Sequence, residues 1–284
     1  MIGLGFSLQS QYSLPIAKVI ALLAASGFSA VSPVWSPELD LRHLAACTHA
    51  HGMTIQSLHA PRKGIPLLWQ PDAPLSSQVE DSILRSINAC GQFHIPILVV
   101  HGWQGLNYAF PETALDFRAF DRIVSYAEQK GVSIAFENLE GEEYLDALLA
   151  RYRDCAYVGF CWDSGHDHCY PHKADFLQRF GDRLIMTHLN DNRGLRDPSG
   201  IPSGKDDLHF LPFDGNIDWD LAIGRLKSAA KQETLNFEIK LQSKSENPED
   251  WIYRQLSLEQ FFQKAGQHAR RIGQMYGEIS TGGY

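Results

Sequence analysis

The strongest constraint on this chain is a rhythm. Short β-rich runs alternate with longer stretches whose apolar residues recur at helical spacing. The candidate strands are IGLGFSL (2–8), FSAVSPV (28–34), TIQSLH (54–59), PILVVH (96–101), VSIAFE (132–137), VGFCWD (158–163), LIMTHL (184–189) and LNFEIK (235–240). Between them LPIAKVIALLAAS, SSQVEDSILRSINAC and ALDFRAFDRIVSYAEQK carry the helical period. Gly27, Gly52, Gly91 and Gly131 stand where helices are expected to stop. Strict β/α alternation implies a parallel sheet, because each crossover helix returns the chain to start the next strand in the same direction. About eight such units without a linker-like break predict an α/β fold, a single closed (β/α)8 TIM barrel. One domain over 1–284 is expected, with a long last helix at about 248–276. That helix either packs under the barrel or joins two copies into a homo-oligomer. An open doubly wound sheet is disfavoured, since no Gly-x-Gly-x-x-Gly turn follows the first strand.

Composition narrows the partners. A formal net charge of -8 weighs against nucleic acid, whose binding rests on a basic face. No apolar run approaches the roughly 20 residues that cross a bilayer, and the N-terminus lacks a basic, cleavable leader pattern. Five cysteines, an odd number with no Cys-x-x-Cys, read as reduced thiols in a cytoplasmic protein.

The chemistry sits at the strand ends. His59, His101, Glu137 and Asp163 close four candidate strands, His188 stands one residue before the end of a fifth, and Glu238 lies in the last. His166 follows Asp163 by three residues, and DDLHFLPF adds Asp207 and His209. Each residue alone has a bland reading: a hydrogen-bonded structural imidazole, a helix N-terminal charge, an Asx turn. Together they are different, because the carboxyl ends of barrel strands converge on one mouth. Facing carboxylates repel unless a cation stands among them, so a divalent metal is expected. Mixed carboxylate and imidazole donors accept manganese, zinc, cobalt or magnesium. Trp35, Trp69, Trp103, Tyr108 and Trp162 lie near strand ends as candidate apolar walls, Trp103 as a substrate contact.

The motifs LVVHGW, IAFENLEG, CWDSGH, MTHLNDN, DLHFLPFDGNIDW and NFEIK resemble those of the xylose isomerase-like TIM-barrel superfamily of sugar and sugar-phosphate isomerases and epimerases, which includes endonuclease IV. The resemblance runs from the first strand to about residue 240. It implies one divalent ion held by Glu137, Asp163, His188 and Glu238, as in ketose epimerases, with His166 on the substrate. Glu137 and Glu238 would then exchange the proton of a metal-stabilised enediolate. The endonuclease IV branch implies up to three zinc ions, adding His59, His101, His166, Asp207 and His209. A family arginine that touches substrate corresponds to Arg193 or Arg196. Phe213 and Asp214 stand where the family often has Gly and Glu, in a loop expected to shape the substrate end. The leading expectation is a metal-dependent isomerase or epimerase of a small sugar or sugar phosphate. A zinc phosphodiesterase and a non-catalytic sugar-binding barrel are the alternatives.

Overall fold

Side-chain alternation explains the architecture. The structure is a computed structural model that describes residues 2–9, 12–111, 115–242 and 245–277. Its strands are β1 (Gly3–Leu8), β2 (Ala30–Pro33), β3 (Thr54–Ile55), β4 (Ser57–His59), β5 (Ile97–His101), β6 (Ser133–Glu137), β7 (Val158–Asp163), β8 (Leu184–His188) and β9 (Thr234–Phe237). All their pairings are parallel, in the orders β3-β2-β1-β9 and β4-β5-β6-β7-β8. The two sheets meet at isolated bridges, Val34 with His59 and Leu189 with Phe237. β3 and β4 form one stave that changes partner at Gln56, pairing first with β2 and then with β5. The result is a TIM barrel, as the alternation predicts.

Along β5 to β8 every second residue faces inward. Val99, Ala135, Cys161 and Met186 form a small buried layer of their own. The next inward positions, two residues on, are His101, Glu137, Asp163 and His188. The intervening Val100, Phe136 and Trp162 belong instead to the large core between strands and helices. Register places His101 opposite Glu137 and Asp163 opposite His188. The strand ends are therefore level, and their polar residues share one rim.

The barrel helices are α1 (Ile16–Ala25), α2 (Leu41–Ala50), α3 (Ser76–Gln92), α4 (Arg118–Lys130), α5 (Glu142–Arg151), α7 (Phe176–Phe180), α8 (Trp219–Lys227) and α9 (Leu258–Gly277). A short extra helix, α6 (Ser164–Cys169), caps the mouth after β7. Gly131 ends α4 in the left-handed conformation, φ 67°. Gly91 corrects the stop pattern. It lies inside α3, against Lys130 of α4, and His94 supplies the left-handed residue beyond the helix, φ 54°. The last helix begins at Leu258, later than the expected 248. Ser257 and Gln260 make a reciprocal cap there, Gln260 N donating to Ser257 Oγ at 3.2 Å and Ser257 N to Gln260 Oε1 at 2.9 Å. The preceding Pro248–Asp250 forms a separate 3-10 turn. α9 packs on its own barrel: Phe262 meets Phe6 edge-on with ring centroids 5.3 Å apart, and a side chain at Gly266 would collide with Ser26 O.

The loop after β8 is organised by Asp191, which has no solvent exposure. Its Oδ1 accepts from Asn192 N at 2.9 Å and Ile217 N at 3.1 Å; its Oδ2 accepts from Phe213 N at 3.0 Å and Trp219 Nε1 at 2.8 Å. Phe213 is thereby held at φ 73°, a conformation suited to glycine. This is the position at which the family resemblance leads one to expect Gly. Arg271 covers the Phe213 ring at 3.8 Å, and Asp214 binds Lys264 at 2.6 Å. The pair therefore faces α9 and does not line the substrate end. Asp191→Ala orphans four donors, the two from Asn192 and Trp219 buried and the two from Phe213 and Ile217 partly so. It should cost about 4 kcal/mol, at roughly 1 kcal/mol or more per lost partner. Denaturant unfolding checks this, and a loss below about 1 kcal/mol contradicts the hub role.

Candidate metal centre

The centre is built around Glu137, which is almost wholly buried at the end of β6. His188 Nδ1 lies 3.0 Å from its Oε1, while His59 Nε2 and His101 Nε2 each lie 3.2 Å from its Oε2. His188 Nδ1 is also 2.8 Å from Glu238 Oε2. Asp163 stands beside them, pinned by the amides next to the ligand positions. Asn190 Nδ2 donates to both Asp163 carboxylate oxygens at 3.0 Å. Asn138 Nδ2 donates to Asp163 O at 2.8 Å and Asn138 Oδ1 accepts from Asp163 N at 2.7 Å. Asp163 also caps α6, accepting from His166 N at 2.8 Å. This cap places Asp167, His168 and Cys169 on a helix, where the sequence suggests only a loop.

Three groups of nitrogen and oxygen donors result among the described residues. His59, His101 and Glu137 form one; Glu137, Asp163, His188 and Glu238 a second; His166, Asp207 and His209 a third, with ligand atoms in each within 4.8 Å of one another. In the third, Asp207 Oδ2 lies 2.8 Å from His209 Nε2 and 3.7 Å from His166 Nε2. His209 holds φ 51°, an uncommon conformation of the kind that concentrates at functional sites.

The donor chemistry fits divalent cations. His59, His166 and His209 each direct Nδ1 at a backbone carbonyl, Ala60 O at 2.7 Å, Asn138 O at 2.9 Å and Glu238 O at 2.9 Å. In the neutral ring that bond places the proton on Nδ1 and leaves the Nε2 lone pair facing a carboxylate. Lone pairs opposed to carboxylates call for a proton or a metal cation between them, and this is the orientation that outer-shell carbonyls impose on metal-bound histidine. Cys161 sits within reach of Glu137 and His188. Burial pushes its thiol up to about 12.

Titration follows the same crowding. Burial, together with Glu137 and Glu238, pushes Asp163 up to about 7 against the attraction of His166. Burial opposes charge on His166, but Asp163 and Asp207 outweigh it and hold the ring at about 10. Burial likewise opposes charge on Glu137, yet His188, His101 and His59 keep it well below the usual carboxylate range. Burial lowers His101 and His209.

The cavity above these groups measures about 530 Å³. His59, His101, Glu137, His166, His188, Asp207, His209 and Glu238 line it. The expected arginines do not. Arg196 is drawn away by Asp206 at 2.9 Å and Asp250 at 2.7 Å, and Arg193 reaches Glu249 O at 3.2 Å. Trp103 stacks on Tyr144 at 4.2 Å in a neighbouring recess, outside the cavity. In their place Arg62, Lys240, Gln9, Gln104 and Tyr170 contribute to the lining. Lys240 closes the motif NFEIK, and Tyr170 lies four residues past CWDSGH; Gln9 and Gln104 lie on loops and carry no periodic signal. Asn138 and Asn190 were visible only as amides adjoining strand-end ligands.

Because Asp163 and His166 hold protons near neutrality, an entering divalent ion must displace them. Affinity for zinc or manganese should therefore rise as pH climbs through about 7, with protons released. Titration calorimetry in buffers of different ionisation enthalpy counts those protons. Affinity flat across about pH 6 to 8 contradicts the assignment.

Comparison with known proteins agrees with this geometry. A family model described as xylose isomerase-like TIM barrel matches residues 20–260. An uncharacterised protein, y4fM, of Sinorhizobium fredii (strain NBRC 101917 / NGR234) is 37% identical over 166 residues, 56% of this chain and 47% of that protein. The chain thus spans about half the length of this curated relative. The IolI protein solved with a bound zinc atom superposes with a TM-score of 0.73 at 16% identity, covering 98% of this chain and 100% of that one. D-psicose 3-epimerase of Clostridium cellulolyticum H10, solved with D-tagatose, gives 0.69 at 14% identity, covering 97% and 99%. At such identities the likeness is one of fold. With a family match over most of its length, the chain belongs to the xylose isomerase-like TIM barrel family.

Proposed function

We propose that the chain is a divalent-metal enzyme that isomerises or epimerises a small sugar or sugar phosphate by moving a proton on and off carbon. One observation carries this reading: Glu137, Asp163, His188 and Glu238 bring ligand atoms within 4.8 Å of one another, and Glu137, His188 and Glu238 line a cavity sized for a small molecule. A bound cation there supplies Lewis-acid polarisation of a carbonyl and offsets the charge that develops on adjacent oxygens. Glu238 is the proton carrier. Its side chain keeps 21% exposure toward the cavity, and Lys240 Nζ lies 3.6 Å from its Oε1. Glu137 has both oxygens occupied by imidazoles, so it acts first as a ligand and only second as the opposing base. His166, Gln9 and Gln104 offer hydrogen bonds to hydroxyls. Arg62 and Lys240 suit the phosphate of a sugar phosphate. The shared fold with ketose epimerases supports a substrate of that size. No helix among the described residues is long and apolar enough to cross a membrane, and the five free cysteines support a reducing, cytoplasmic setting.

A second reading, hydrolysis of a phosphoester at a three-ion centre, is favoured by a separate observation. The His59–His101–Glu137 and His166–Asp207–His209 groups stand beside the group of Glu137, Asp163, His188 and Glu238, and proton transfer alone leaves them without a task. A net charge of -8, with Arg193 and Arg196 engaged elsewhere, directs this reading toward a small phosphoester and away from a nucleic-acid strand.

Incubation of the metal-loaded protein with ketoses and ketose phosphates in D2O should introduce deuterium at the converted carbon. Glu238→Gln should slow that exchange by about 10²- to 10⁴-fold. Phosphoester cleavage without exchange at carbon selects the second reading. Undiminished exchange in the variant removes Glu238 from the chemistry.

A further inference from the structure

Asp207 and His209 come from an irregular loop, not from a strand end, so something other than the barrel must fix them. The structure shows what. Arg196 Nε binds Asp206 Oδ1 at 2.9 Å, its Nη2 donates to Lys205 O at 2.7 Å, and its Nη1 binds Asp250 Oδ2 at 2.7 Å. Asp206 is the immediate neighbour of Asp207. Asp250 is wholly buried and belongs to the Pro248–Asp250 turn ahead of α9. Just past the ligands, the Tyr253 hydroxyl accepts from Leu211 N at 2.8 Å and donates to Asp214 Oδ2 at 2.8 Å.

We propose that the 248–253 segment is an outer brace for the third donor group, with Arg196 and Asp250 as positioning residues that hold Asp207 and His209 to the cavity. The inference rests on the three-group reading of the centre. Arg196 is where a substrate-binding arginine is expected, and its planar fork is instead spent on one carboxylate from each side and a carbonyl. Three charge-assisted bonds of fixed geometry over-determine the loop ahead of Asp207. Downstream the segment is held by the backbone, where Asp191 N donates to Phe210 O at 2.9 Å and Lys240 N to His209 O at 3.0 Å, whereas upstream Arg196 joins it to the turn before α9. An ion needs its donors placed within a fraction of an ångström, so loosening one flank weakens binding at that group first.

Cobalt(II) titration of the metal-free full chain, followed by visible absorbance, counts the ions and ranks their affinities. The unaltered chain should take up three. Arg196→Gln and Asp250→Asn should each weaken one ion by about 10- to 100-fold and leave the other two unchanged. Arg196→Lys, which keeps charge without the fork, should recover part of the loss. If Arg196→Gln fails to fold, Tyr253→Phe tests the same brace from its other contact and should weaken the same ion. Three ions bound with unchanged affinity in these variants overturn the brace alone. A single ion in the unaltered chain overturns the brace and the three-group reading together.

Discussion

The centre depends on the carboxylate of Glu137. One oxygen meets His188 and the other meets His59 and His101, so a single side chain joins donors from the third, fourth, fifth and seventh staves. A carboxylate buried this deeply is unfavourable unless its charge is answered on every side. The barrel supplies the answer by ending β4, β5 and β8 in imidazoles at the same level. The same crowding that steadies Glu137 strains Asp163, whose charge is disfavoured by burial and by two neighbouring carboxylates. A divalent ion resolves both conditions at once, turning repulsion among acids into coordination.

Much of this was legible before any coordinates. A period-2 pattern along β5 to β8 puts Val99, Ala135, Cys161 and Met186 in one layer and the ligands two residues later in the next, so strand ends could be read as one rim. Glu238 followed from the same reasoning, although β9 closes at Phe237 and the residue stands one step beyond the ladder. Legibility failed where loops decide direction. Nothing in the spacing distinguishes an arginine aimed at substrate from Arg196, whose direction is set by Asp250 more than fifty residues away. Trp103 was a fair candidate by position, but its ring is taken by Tyr144 from the next unit. Gly91 resembled a helix stop because glycine also serves close packing, here against Lys130. The start of α9 was hidden by an apolar pattern that continues upstream of the Ser257–Gln260 cap.

Rigid and irregular parts of the molecule divide the work. Strand ends, held by parallel ladders, carry the group that suits proton transfer at carbon. The loop after β8, organised by Asp191 and tied to the segment before α9, carries the group that suits a further ion. A division of this kind would let strand-end residues stay fixed while loop residues alter the chemistry at the mouth. Phe213 illustrates the constraint on that freedom: a residue other than glycine is accommodated at a left-handed position by the carboxylate and ring contacts around it.

The most direct test is a crystal structure of the cobalt- or zinc-loaded chain with anomalous difference maps recorded at the metal edge. The geometry predicts a peak within about 2.0–2.3 Å of carboxylate or imidazole atoms of Glu137, Asp163, His188 and Glu238, with Glu137 shared by a second peak toward His59 and His101. Maps that place every ion on surface residues, leaving Glu137 bonded only to imidazoles, would contradict a metal centre at the barrel mouth.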